Sequence, residues 1–236
     1  MLQTVSSQAD TTLERAVTPA ELQACAPRIL KSEGAGAASV LRYDLPGRSV
    51  VVKRWAPTHS RLMRAWARLV MRREIRHYRL LDGTPGVPRF LGHEGDTTLY
   101  VQFIDAVPVH RHLPPSLLRR GLDGLERTLD ALHARRFVHL DLHQKLNALI
   151  DAEGRAWVID LGQGLDCSRG ALRRLLFPAL ARIDRNAVLK FRARYAPDTL
   201  DPARRDRLVA RYRASRDHWL KRLGRRLRRS ADDNAR

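Results

Sequence analysis

The sequence predicts an α+β molecule: a small N-terminal lobe of strands with one long helix, then a mostly helical C-terminal lobe. Three observations predict it. Strand-like runs rich in β-branched residues, "SVVVKRW" and "TTLYVQFI", fall before residue 105. Three- and four-residue apolar spacing dominates after it. One short pair of strand-like runs, "NALID" and "AWVID", interrupts those helices. The 236 residues suit one domain or one bilobal unit. The expected divisions are a loose polar N-terminus (1–20), the N-terminal lobe (21–105), the helical lobe (106–210) and a basic C-terminal helix or tail (211–236).

Taken in order, "TPAELQACAPRIL" predicts a helix, with Thr18 as N-cap, Pro19 at its first position and Glu21 at its third. "EGAGAASVLRYDLPGRSVVVKRW" predicts strand, turn and strand. "SRLMRAWARLVMRREIRHYRLLDG" predicts a helix whose repeating face carries Leu62, Trp66, Leu69, Val70 and Arg73, closed by Gly83. "TPGVPRFLGHEGD" predicts a loop and "TTLYVQFI" a strand. "PPSLLRRGLDGLERTLDALHARR" predicts a helix opened by prolines and Ser116. After the strand pair, "GALRRLLFPALARI" and "NAVLKFRARY" predict two further helices.

The composition narrows the function. The net charge is +19, with five lysines among 44 basic residues, so the charge is carried by arginine. A GC-rich genome that encodes arginine in place of lysine accounts for that as well as attraction to phosphate does. Cys25 and Cys167 lie far apart, which implies neither a zinc site nor a disulfide framework and suits a reducing cytoplasm. The N-terminus lacks a basic stretch followed by an apolar one, so no signal peptide is expected. No apolar run reaches the ~20 residues that cross a bilayer, so any membrane contact is expected to be peripheral.

A set of residues suits phosphoryl transfer, which asks mainly for positioning and charge neutralisation. Gly34 and Gly36 in "GAGAAS" let a backbone bend over phosphates. Lys53 ends an apolar strand, and Glu74 sits alone in an Arg-rich helix. Taken singly, each has a plainer account: a loop, a solvated edge lysine, a surface ion pair. Asp141 and Asp160 lie beside apolar runs in "HLDLHQKLNALIDAEGRAWVIDLG", with Asn147 between them. Asp141 can accept a hydroxyl proton. Asn147 and Asp160 offer the oxygen donors that Mg²⁺ prefers.

That stretch resembles the catalytic and metal-binding loops of the protein-kinase-like superfamily: His139-x-Asp141, then Asn147, then Asp160-Leu161-Gly162. "VVVK" is similar to the lysine strand, Glu74 to its partner glutamate, and "LYVQFID", with Gln102 and Ile104, to the hinge that meets adenine. The resemblance covers about residues 30 to 165. It implies ATP and Mg²⁺ as cofactors, Asp141, Lys53 and Glu74 as catalytic residues, Asn147 and Asp160 as metal ligands, and a bracing role for His139. Gly34, Gly36, Lys53, Gln102 and Ile104 would bind the nucleotide.

The sequence departs from the pattern in places. Asn147 lies six residues after Asp141, one more than usual, while its thirteen-residue spacing to Asp160 is the usual one. The extra residue is therefore confined to "LHQKL" on the acceptor side. His139-Leu140-Asp141 lacks the arginine of regulated kinases, and no Ala-Pro-Glu follows Asp160. The chain is most similar to the compact bacterial branch: lipopolysaccharide-core sugar kinases, RIO-type kinases and aminoglycoside-type phosphotransferases. The expected acceptor is a hydroxyl on a core-type sugar, a lipid-linked glycan or a protein Ser/Thr. The other reading is a weakly active pseudokinase, a nucleotide-binding scaffold at the membrane.

Residues 211–229 hold nine Arg or Lys beside a Leu220, Leu223 and Leu227 stripe, the pattern of a helix lying on an anionic membrane face. The 61–76 segment is similar in character. Nucleic acid is the less expected partner, because no aromatic platform interleaves the arginines. A helix packed on the C-terminal lobe with a solvated basic face, or a disordered tail, accounts for the pattern equally well. A cytoplasmic protein is expected, peripheral on the inner membrane face if the basic helix docks there.

Overall fold

The computed structural model of the chain describes residues 16–32, 38–55, 60–110, 112–203 and 206. The fold is mixed α+β. Gly34, Gly36 and the 211–236 segment lie outside the described residues.

The first half is an antiparallel sheet in the order β1-β2-β3-β5-β4. Its strands are β1 (Arg28–Lys31), β2 (Ser39–Leu45), β3 (Arg48–Arg54), β4 (Phe90–Glu94) and β5 (Thr98–Gln102). A turn at Pro46 and Gly47 joins β2 to β3, with Gly47 at φ 77, a left-handed value that glycine adopts without steric cost. β3 alternates as its pleat dictates. Val50 and Val52 are fully buried against Tyr43, Leu91 and Tyr100, while Val51 packs on the opposite face. Lys53 follows Val51 in that alternation.

Helix α1 (Pro19–Gln23) starts as its sequence predicts. Thr18 accepts from the Glu21 N–H, and the Glu21 carboxylate accepts from the Thr18 N–H at 2.8 Å. The helix stops earlier than expected. Its end at Gln23 precedes Pro27, whose ring and missing N–H oppose a helix, and "RILK" becomes edge strand β1. Val17, within the stretch read as loose, is buried and donates its N–H to the Leu91 carbonyl at 2.8 Å. The "TPGVPRFLGHEGD" loop also holds a strand, β4, because β5 offers a free edge on that side.

Helix α2 (Arg61–Leu81) is capped by the Ser60 side chain. Its buried residues are Ala67, Met71, Glu74, Ile75, His77, Tyr78 and Leu81. That is not the face the sequence singled out: Leu62, Trp66 and Leu69 are exposed. Apart from Ala67, it is the second half of α2 that packs inward, where Met71, Ile75 and Tyr78 join the β5 residues Leu99 and Val101.

Strand β6 (Ala106–Pro108) leads to helix α3 (Pro115–Ala134), β7 (Phe137–Val138), β8 (Ala148–Asp151), β9 (Ala156–Val158), β10 (Leu165–Asp166) and helix α4 (Ala171–Tyr195). β8 and β9 form the expected hairpin, extended by β6, and β10 pairs with β7. The two helices expected after the hairpin are one continuous helix through Pro178. Proline costs that helix a backbone hydrogen bond. The packing of Phe177, Leu180 and Ala181 against Val138 and Cys167 holds the helix across the gap. Arg192 ties α4 to α3 through Asp123 and Glu126.

Gly86 joins the two halves. It sits at φ 78, and its carbonyl accepts from the Val158 N–H of β9 at 2.7 Å. A Cβ there would overlap the Thr128 side chain of α3 and stand 2.8 Å from the Ala156 carbonyl oxygen. Gly86→Ala combines a positive-φ cost of about 1 kcal/mol with about 1–3 kcal/mol of overpacking. A fall of about 2–4 kcal/mol in the urea unfolding free energy is expected.

Candidate active site

The pleat of β3 that buries Val50 and Val52 on one face turns Lys53 to the other, toward α2. Its ammonium donates to Glu74 Oε1 at 2.9 Å and lies 2.8 Å from Oε2. It also donates to Asp160 Oδ1 at 3.0 Å. One cation therefore joins β3, α2 and the segment after β9. Glu74 is 1% exposed and lies in the core-facing row of α2 between Met71 and Tyr78. A lone carboxylate there would be costly, and Lys53 supplies its counter-charge.

Burial alone disfavours the Lys53 ammonium, but Glu74 and then Asp160 outweigh it and hold the lysine above its ordinary range. Burial pushes the Glu74 carboxyl up, against the pull of Lys53 and with the help of the Asp160 charge. Burial also raises Asp160, yet the nearby lysine wins and leaves it below its ordinary value. Asp160 stays a carboxylate while Glu74 carries the desolvation.

The β8–β9 hairpin brings Asn147 and Asp160 together. Asn147 ends a 3-10 turn (Lys145–Asn147) just before β8, and Asp160 follows Ile159 just after β9. The Ile159 N–H donates to the Asn147 carbonyl at 3.0 Å, closing the open end of the hairpin. Asp151 fixes the other end. Its carboxylate accepts from the Glu153 and Arg155 N–H groups, from Arg155 Nε and from Trp157 Nε1. Asp160 adopts φ 61 and ψ 65, the left-handed region, which costs a side-chain-bearing residue about 1–2 kcal/mol.

Asp141 stands beside Asn147. The Asn147 amide donates to the Asp141 carbonyl at 3.1 Å and to its Oδ2 at 3.0 Å. Gln144, in the turn between them, donates to both Asp141 carboxylate oxygens at 3.0 and 2.9 Å. His143 Nδ1 lies 3.5 Å from Oδ1. Gln144 and His143 lie in the turn before Asn147, and β8 pairs with β9 in an unbroken register from Ala148–Val158 to Ile150–Ala156.

His139 braces this loop. The Asp141 N–H can only donate and the Ile159 carbonyl can only accept. His139 Nδ1 therefore takes the first at 3.3 Å, and Nε2–H gives to the second at 3.0 Å. That is a neutral imidazole, in keeping with burial, which pushes its pKa down. Beneath it lies a carboxylate the sequence did not single out. Asp184 of α4, fully buried, accepts from the His139 and Leu140 N–H groups at 2.8 Å each, and His133 Nε2 stands 3.3 Å from it. Leu140, at φ 65, is held in a strained conformation by that bond. The only signal for Asp184 was an acid within an apolar and basic helix.

Two α2 side chains that sequence reasoning also missed clamp the Asp160 turn. His77 Nδ1–H donates to the Leu161 carbonyl at 2.8 Å, and Arg73 donates to the Gln163 and Gly164 carbonyls at 3.2 and 2.7 Å. The Gln102 side-chain oxygen accepts from the Arg89 N–H at 3.3 Å, and the Gln102 main-chain N–H donates to the Arg89 carbonyl at 3.0 Å. Ile104 lies half-buried in the link between β5 and β6.

Among the described residues, no three His, Cys, Asp or Glu side chains converge as a metal site. Asn147 and Asp160 are a hard oxygen pair. The Asn147 nitrogen is spent on Asp141, which leaves its oxygen as the coordinating end. Mg²⁺ commonly takes one or two protein ligands and completes its shell with other oxygens, so this pair could hold such an ion. No protein-family model matches the chain, and no curated protein matches it.

Two outcomes follow from this packing. His77 is held neutral chiefly by burial, with Arg73 and Arg76 adding to it, and its pKa is pushed down to about 4. The unfolded chain takes up that proton near pH 6.5, so stability falls as pH drops from about 6.5 to about 4. Urea unfolding at pH 5 should show a His77 share of the loss on the order of 2 kcal/mol relative to pH 7, and His77→Gln should make the decline shallower. Asp184→Ala strands buried donors and should cost roughly 3 kcal/mol or more in the same measurement.

Proposed function

We propose that the chain is an ATP- and Mg²⁺-dependent phosphotransferase with the bilobal arrangement of protein-kinase-like enzymes, transferring the γ-phosphoryl group of ATP to a hydroxyl acceptor. The observation that carries this is the Lys53 ammonium shared by Glu74 and Asp160, next to the Asp141–Asn147 pair. Each group suits one task. Lys53, fixed by Glu74, neutralises phosphate oxygens. Asp160 and Asn147 would hold Mg²⁺, whose charge would stabilise the transferring phosphoryl group. Asp141 orients the acceptor hydroxyl and takes its proton as the new O–P bond forms, while ADP leaves with the electrons of the broken one. Gln102 and Ile104 stand on the strand and link where adenine would dock.

The acceptor class follows from what lies past Asp160. Ten residues separate Asp160 from the start of α4, and β10 pins them to β7. So short a tied segment favours a compact acceptor, a lipopolysaccharide-core-type sugar hydroxyl, over a docked Ser/Thr peptide. Two free cysteines and use of ATP fit a cytoplasmic site. Among the described residues no helix is long and apolar enough to cross a membrane.

The test is Mg²⁺-dependent ATP turnover by the purified chain with candidate sugar acceptors. Asp141→Asn should lower transfer at least 10²-fold and leave ATP binding, measured by calorimetry, near wild type. A second reading, a nucleotide-binding scaffold, is favoured by one observation: Gln144 occupies both carboxylate oxygens of Asp141. A wild-type chain that binds ATP yet transfers phosphate neither to acceptors nor to itself would establish the scaffold instead.

A further inference from the structure

We propose that the first half of α2 is a docking surface for an anionic membrane. Leu62, Trp66 and Leu69 are 84%, 55% and 62% exposed. They recur at four- and three-residue steps, so they form one stripe about 10 Å long. The stripe is separate from the core-facing row of Ala67, Met71 and Tyr78. Met63 widens it at 37% exposure. The fold leaves these residues uncovered although the same helix buries its other apolar side chains from Met71 onward.

Charge identifies the occupant. Arg61, Arg64 and Arg68 are exposed beside the stripe, and no Asp or Glu occurs from Arg61 to Arg73. The first turn of a helix carries a partial positive charge and is ordinarily stabilised by acids. Here it holds no acid and begins with Arg61. The clustered positive potential is offset by a surface of anionic headgroups lying against it. An apolar stripe with a tryptophan, edged by arginines, is built for the boundary between headgroups and acyl chains. Nucleic acid would use the arginines and leave the leucines in water. Arg73 continues the stripe and turns in to the Gln163 and Gly164 carbonyls, so docking surface and candidate active site share one helix. The inference does not rest on phosphoryl transfer, because vesicle binding is read without nucleotide.

The test uses the full chain and flotation with phosphatidylglycerol–phosphatidylethanolamine vesicles, with phosphatidylcholine vesicles as the neutral control. The triple variant Leu62→Ser/Trp66→Ser/Leu69→Ser keeps every charge, including the basic residues of 211–229. Its substituted side chains are exposed, so its urea midpoint should stay near wild type. The expected result is wild-type flotation on the anionic vesicles only, at least a tenfold weaker partition for the triple variant, and quenching by brominated lipid of the emission that Trp66→Phe removes. Equal flotation of wild type and triple variant overturns the proposal, as does no wild-type flotation or an unquenched Trp66. A dimer in sedimentation that the triple variant dissolves overturns it in favour of a contact between copies.

Discussion

The Lys53 ammonium, held between Glu74 and Asp160, sets the relation among three parts of the chain. β3 supplies the cation, α2 one carboxylate and the segment after β9 the other. Glu74 is buried in the core face of α2. Breaking a buried pair by removing one partner typically costs about 3–5 kcal/mol, because the remaining charge is stranded. Helix position, strand register and hairpin exit are therefore tied to one another. Arg73 and His77 strengthen that tie, since both reach from the same helix to carbonyls just past Asp160.

A second layer of buried polar groups works around Asp141. Asp184 holds two successive N–H groups of the Asp141 loop, and His139 links that loop to Ile159. The Ile159 N–H in turn reaches Asn147, whose amide returns to Asp141. This circuit passes through the backbone and through side chains with few rotamers. It places Asp141, Asn147 and Asp160 by hydrogen bonds that each have a defined donor and acceptor, which is how a polar cluster can be rigid inside an apolar core.

Much of the fold was legible in the sequence, for local reasons. The capping box at Thr18 and Glu21, the Pro46–Gly47 turn, the alternation of β3 and the hairpin around Asp151 are each written within a few residues. What failed depends on distant partners. β1 and β4 exist because β2 and β5 offer edges, and a continuous α4 exists because Val138 and Cys167 wait beneath Pro178. The period of α2 was read correctly but its face was not, since its first half has two apolar faces and only contact with the core tells them apart. At the site, Lys53, Asp141, Asn147 and Asp160 are singled out by residue type beside apolar runs and Glu74 as an acid in an Arg-rich helix; the structure joins Glu74 and Asp160 through Lys53, and Asn147 to Asp141. Asp184, His77 and Arg73 were hidden: their partners are chiefly main-chain atoms 44 to 91 residues away, which carry no side-chain signature.

The left-handed backbone at Asp160 narrows what that position can hold. At φ 61, glycine is at ease, and asparagine and aspartate tolerate the conformation better than other residues. Handedness thus favours a short set of residues before charge is considered. Of these, only aspartate brings a full negative charge to Lys53. Conformation and electrostatics act as two independent filters at one residue, and they can be separated there. Asparagine removes the charge and keeps the turn, whereas alanine would change both together.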